Sequence, residues 1–188
     1  MRSSNKVPAI NAGSTADIAF LLLIFFLVTT TLSNDKGIIR GIPAPCSDGA
    51  DCTMPLNERN VFRIVLNAKG DLLVNNEITP LGDLKDQMID FLKNNGDGSC
   101  LYCFGKGSKT ASDNPHRAVL ELSTHRKAPY YVFIEVQDEI TKAYTELRTS
   151  YAMRTFQKEL KNLSEAELVK TRDAYPFNLV EATLDTRE

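Results

Sequence analysis

The stretch "GSTADIAFLLLIFFLVTTTL", Gly13 to Leu32, is the most hydrophobic part of the chain, and the carboxylate of Asp17 stands at its mouth. Between Val7 and Leu32, Asp17 is the one charged residue. A helix rises about 1.5 Å per residue, so roughly 20 residues cross ~30 Å of hydrocarbon. The strictly apolar core, Ile18 to Val28, is too short for this. Asn11 to Ala16 and the Thr29-Thr30-Thr31-Leu32 tail complete the length, because a threonine hydroxyl can bond back to a helix carbonyl. An aspartate at mid-helix costs about 2.5 to 3.5 kcal/mol on insertion scales, and less near an end. The eleven Leu, Ile, Phe and Val residues from Ile18 to Leu32 return roughly 3 to 7 kcal/mol on the same scale. The run therefore inserts despite its charge.

A cleaved signal peptide is the competing reading, since Arg2 and Lys6 supply a positive start and the apolar core has the right size. No clear small-x-small site follows the run, however, and Asp17 precedes the core where signals prefer positive charge. The run reads as an uncleaved signal anchor. Arg2 and Lys6 before it nearly balance Lys36 and Arg40 after it, so charge alone barely sets the orientation. Four cysteines, Cys46, Cys52, Cys100 and Cys103, all follow the run and point to an oxidising compartment for the large domain. This places the N-terminus in the cytoplasm. The 188 residues carry a formal net charge of -2, so no basic excess exists to neutralise phosphates and no nucleic-acid partner is expected.

Asp17 has two readings. Ser14-Thr15-Ala16-Asp17 fits a capping box, with Ser14 as the cap and Asp17 reaching back to its amide. Alternatively, Asp17 is a protonatable group facing a protein interior, as intramembrane carboxylates commonly are. At helical spacing it shares a face with Leu21, Ile24, Val28 and Thr31. That face is apolar over roughly 21 Å between Asp17 and Thr31. One such helix cannot carry a proton across alone, so a proton role requires a partner protein.

The segment "VPAINAGSTADIAFLLLIFFLVTT", Val7 to Thr30, resembles the N-terminal anchor of the ExbD/TolR family of biopolymer-transport proteins. "VFRIVLNAKGDLLVNNEIT" resembles the first hairpin of that family's periplasmic domain, and "YYVFIEVQDEITKAYTELR" its later strand and helix. The segment from about Asn94 to Arg126, with "CLYC", resembles a version of the family from the Bacteroidetes group. The resemblance implies an inner-membrane protein in which Asp17 is the essential proton-translocating aspartate, with Ser14 and Thr15 as polar neighbours. It implies a homodimer within an ExbB/TolQ-like pentamer, passing force to a TonB-like protein that opens outer-membrane receptors. No cofactor is implied.

The expected organisation is a cytoplasmic N-terminus over 1–12, a transmembrane helix over 13–33 and an extended linker over 34–56. A small mixed α/β periplasmic domain of α+β class follows over 57–163, with a loop insertion at about 94–127 and a C-terminal helix and tail over 164–188. Pro43, Pro45 and Pro55 stiffen the linker, where Cys46 and Cys52 either close a small loop or remain thiols. Val61 to Leu66 and Leu72 to Ile78 are strand-like around the Gly70-Asp71 turn. Pro80 to Leu92 repeats as a helix, and Arg117 to Thr124 alternates weakly. Tyr130 to Val136 reads as a strand and Glu139 to Leu160 as a helix. Ser164 to Tyr175 is a final helix with a Ser164-x-x-Glu167 box. Cys100 and Cys103 bridge each other or pair with Cys46 and Cys52. Zinc is disfavoured, because eight residues, not three to five, separate His116 from His125.

"GKGSKT" lacks the glycine and the preceding strand of a phosphate loop. No catalytic constellation is evident, so no enzyme is expected. Two alternatives stand beside the motor reading. A pilin-like protein would also join an apolar helix with an acid to a cysteine-paired domain, but Gly13 is followed here by Ser14 and the acid is Asp17. A plain membrane-anchored binding protein would use Asp17 only as a cap.

Overall fold

The structure is a computed structural model that describes residues 12–29 and 56–184. The chain divides into two compact units at Cys52 and Thr53. The first contains α1, Ala12–Thr29, eighteen residues long and apolar enough to cross a membrane. At about 1.5 Å per residue it is roughly 27 Å long. Thr29 Oγ1 donates to the Phe25 carbonyl oxygen at 2.8 Å. Its hydroxyl is thus satisfied within the helix, as a hydrocarbon setting demands.

The second unit is α+β. Its strands are β1 (Val61–Leu66), β2 (Leu72–Val74), β3 (Glu77–Ile78), β4 (Val119–His125) and β5 (Leu179–Leu184). Its helices are α2 (Leu81–Leu92), α3 (Tyr130–Phe156) and α4 (Glu165–Ala174). The sheet order is β3-β2-β1-β4-β5. The β1–β2 and β2–β3 pairs are antiparallel, while β1–β4 and β4–β5 are parallel. Both parallel crossovers step in the same direction across the sheet. Right-handed crossovers of that kind put their helices on one face.

Strand alternation follows from this. Phe62, Ile64, Leu120 and Leu122 are buried beneath Leu84, Met88 and Leu92 of α2 and Val136, Ile140 and Tyr144 of α3. The rings of Phe62 and Phe91 lie 5.1 Å apart. The opposite face carries Arg63 directly across from Glu121, paired at 3.4 Å.

Several elements differ from the sequence expectation. Tyr130 to Val136 is the start of a 27-residue helix, not a strand. The aromatic and β-branched run favours a strand locally, but Pro129 fixes a helix-entry φ of -62°. Val136, Ile140, Ala143, Tyr144 and Leu147 then bury at helical spacing, so packing overrides propensity. Leu72 to Ile78 is broken by a two-residue turn in which Asn75 and Asn76 both take positive φ, the requirement of the tightest hairpins. Arg117 to Thr124, weak in pattern, overlaps the interior strand β4, Val119–His125, which lies between β1 and β5. The chain after α4 is not simply a tail, because β5 completes the sheet edge. α4 carries the expected capping box, Ser164 with Glu167.

Candidate functional site

Asp17 lies in the second turn of α1, about 7.5 Å along the axis from Ala12. It is the one charged residue of the helix. Ser14 was expected to cap this helix, yet Ala12 and Gly13 are already helical, so Ser14 sits inside the first turn. Ser14 and Asp17 remain neighbours at i,i+3 on one face. Thr15 Oγ1 donates to the Ala12 carbonyl oxygen at 3.1 Å. The face through Leu21, Ile24 and Val28 continues without a second charge.

Cys100 and Cys103 are joined by a disulfide, which answers the pairing question for these two. Cys46 and Cys52 lie outside the described residues. Among the described residues no group of three or more His, Cys, Asp and Glu side chains gathers to hold a metal ion.

The loop from Lys93 to Ala118 is irregular but firmly tied. Asn94 is its hub: Nδ2 donates to the carbonyl oxygens of Ser108 and Ser112 at 2.8 Å each, and Oδ1 accepts from the Ser108 amide at 2.9 Å. Asn95 holds Cys100 from both sides, accepting from its amide and donating to its carbonyl oxygen. A Cβ on Gly105 would collide with the Asn94 Cα and the Lys93 carbonyl, so only glycine admits this close approach.

Sequence reasoning missed a buried cluster that joins this loop to the start of β1. The Asp113 carboxylate is fully buried, with Arg59 Nη2 2.6 Å from Oδ1. Asn60 Nδ2 donates to Asp113 Oδ2 at 3.0 Å, and the Asp113 amide donates to Asn60 Oδ1 at 2.8 Å. Arg117 Nη1 stands 3.7 Å from Oδ2. No local pattern could announce this set, since Asn60 and Asp113 lie 53 positions apart.

The helix surface bears an open groove of about 580 Å³ where Lys85 and Lys142 flank Glu146. Lys85 Nζ pairs with Glu146 at 3.0 Å, which raises the amine above its usual range. Thr141, Thr145 and Thr149 turn their hydroxyls back onto helix carbonyls. These groups are engaged with one another rather than converged on a reacting atom.

Among the described residues one apolar helix opens near a carboxylate, and a small α+β unit follows it, a layout that suits a membrane-anchored module. The family model described as Biopolymer transport protein ExbD/TolR matches residues 3–151, and the chain belongs to that family. The family is a non-enzymatic, transport-associated one whose members generally work with ExbB/TolQ and TonB/TolA partners. A search of the curated proteins returned no match. The matched region includes Asp17 and ends inside α3, so α4 and β5 lie beyond it.

Proposed function

We propose that this chain is the proton-coupling, single-span subunit of an ExbB–ExbD-type motor in the inner membrane, energising TonB-dependent transport across the outer membrane. The observation that carries this reading is Asp17: one carboxylate in an otherwise uncharged span, within the region matched to the family. Burying a charge in a bilayer is costly, so intramembrane carboxylates persist where they face protein or water and handle ions. An ExbB/TolQ-like pentamer enclosing a homodimer of this chain supplies that setting. It also completes the proton path that the apolar face below Asp17 cannot supply. The N-terminus lies in the cytoplasm and the α+β unit in the periplasm, where it meets a TonB-like protein. The Cys100–Cys103 bridge supports this orientation, because disulfides persist in oxidising compartments. In this reading the chain itself performs no covalent chemistry. The family match covers the anchor on which the pilin-like alternative rested.

Asp17→Asn keeps the size of the side chain and removes its titration. In cells dependent on this system it abolishes energised uptake, while the ExbB-like partner still co-purifies at the wild-type level. Normal uptake by that variant overturns the proton role. Absence of any multi-span partner in the wild-type purification overturns the motor assignment.

A further inference from the structure

The residues between the two bridged cysteines reach into the part of the domain that lies beyond the family match. Tyr102 Oη donates to the Ala174 carbonyl oxygen at 2.6 Å, at the last residue of α4. Its ring meets Tyr151 of α3 edge-on at 5.1 Å and Tyr175 at 5.6 Å. Burial pushes the Tyr102 hydroxyl up to about 12, so it stays a neutral donor. Tyr175 is buried, and its carbonyl oxygen accepts from Arg148 Nη2 at 2.7 Å and Nε at 3.1 Å. This is the anchor from which β5 departs.

The anchor adds to a modest apolar burial in the segment, beside the Phe177 ring 4.7 Å from Tyr144 and the hydrogen bonds of Asn178 with Ala118 and Leu120. In α4 only Thr171 and Ala174 are buried. In β5, Leu179 and Leu184 are half-buried and the four residues between them are exposed. Beyond its ladder with β4, β5 adds Leu179 against the core and a hydrogen bond from Gln137 Nε2 to Glu181 at 2.7 Å. Tyr102 is in turn held at its position by what flanks it. Cys100 is bonded to Cys103 and clamped by Asn95. The neighbouring Leu101 is 97 % exposed, while Cys100 and Cys103 are themselves buried at 7 % and 9 %, so the bridge lies just under the loop surface.

We propose that the Cys100–Cys103 disulfide is a redox-sensitive clasp that sets how firmly the α4–β5 segment, and with it the β5 edge of the sheet, is docked. Opening it requires a dithiol reductant. A reductant thiolate attacks one sulfur, breaks the S–S bond and forms a mixed disulfide, and the other cysteine leaves as a thiolate that takes up a proton. The second reductant thiol, losing its proton, displaces the protein sulfur, which is protonated in turn. The protein gains two electrons and two protons, and the reductant leaves as a disulfide. With the bridge open, the loop no longer holds Tyr102 between Tyr151 and Tyr175, and the segment opens more often.

Hydrogen exchange read by mass spectrometry on the full chain in detergent micelles tests this. Cys100→Ser/Cys103→Ser, which leaves Cys46 and Cys52 in place, is expected to speed exchange across 165–184 about tenfold, the scale of one lost buried hydrogen bond. Exchange over 61–66 stays as in the wild type. Treatment of the wild type with dithiothreitol reproduces the pattern. Tyr102→Phe, with the bridge intact, reproduces part of it and decides the matter if the double variant does not fold. Unchanged exchange over 165–184 in the double variant overturns the proposal. So does an equal rise over 61–66 and 119–125, which would mark general destabilisation, and so does a Tyr102→Phe variant indistinguishable from wild type.

Discussion

Truncating Arg59 is expected to cost more than neutralising Asp113, although Asp113 is the buried partner. Asp113→Asn keeps the volume but turns one acceptor into a donor. Whichever way the amide is placed, a donor then faces either Arg59 Nη2, now 2.6 Å away, or Asn60 Nδ2, now 3.0 Å away. The loss is that of a charge-assisted hydrogen bond, about 1.5 to 3 kcal/mol. Arg59→Ala leaves the carboxylate fully buried without its nearest cation. Breaking a buried pair in this way costs about 3 to 5 kcal/mol. The lower end applies here, because the Arg59 side chain is 38 % exposed and Arg117 still stands 3.7 Å from the carboxylate. In the double variant neither charge is stranded, so its cost falls below the sum of the two single costs. Urea unfolding of the full chain in micelles, followed by far-ultraviolet circular dichroism, gives all three values with unchanged slopes. Additive costs, or an Arg59→Ala variant as stable as wild type, would refute the claim that this pair fastens the loop to β1.

Leu122→Ala, in the fully buried centre of β4, costs about 2 to 5 kcal/mol in the same urea assay, whereas Leu101→Ser, at the exposed loop tip, changes stability by less than about 0.5 kcal/mol. Glu167 is held down to about 2 by Lys158 first and then by the Ser164 amide and hydroxyl. Its folded-state value is depressed, so its stabilising contribution is complete above its ordinary value of 4.5 and is lost as the pH falls towards about 2. A carboxyl-selective NMR titration shows the depressed midpoint in the wild type, and Lys158→Ala moves it upward. Gly105→Ala destabilises the loop by forcing Asn94 aside, visible as faster amide exchange at Gly107 and Ser108, whose amides bond to Asn94.

What the sequence made legible follows the physics of each element. The anchor could be read because a span needs only composition and length, and α2 because Leu84, Met88, Phe91 and Leu92 repeat on one face. α4 announced itself through Ser164 and Glu167, whose pairing is local. The start of α3 misled because Tyr130 to Val136 has strand propensity, and only packing against the sheet and α2 decides its period. β5 escaped notice because its middle four residues are exposed and the short Val180/Ala182 alternation buries neither; its partner strand β4 specifies it. Of the candidate site, Asp17 and the Cys100–Cys103 pair were visible as residues. The cap role expected of Ser14 was not realised, and the Asp113 cluster depends on contacts between distant segments. Cys46 and Cys52 lie outside the described residues.

The central claim is that Asp17 takes up and releases a proton as part of a working cycle with a membrane partner. Proton flux into vesicles containing this chain reconstituted with its ExbB-like partner tests it most directly. The account predicts flux driven by an imposed gradient in the wild type and its loss in Asp17→Asn, with both complexes equally assembled. Equal flux in the two would contradict it.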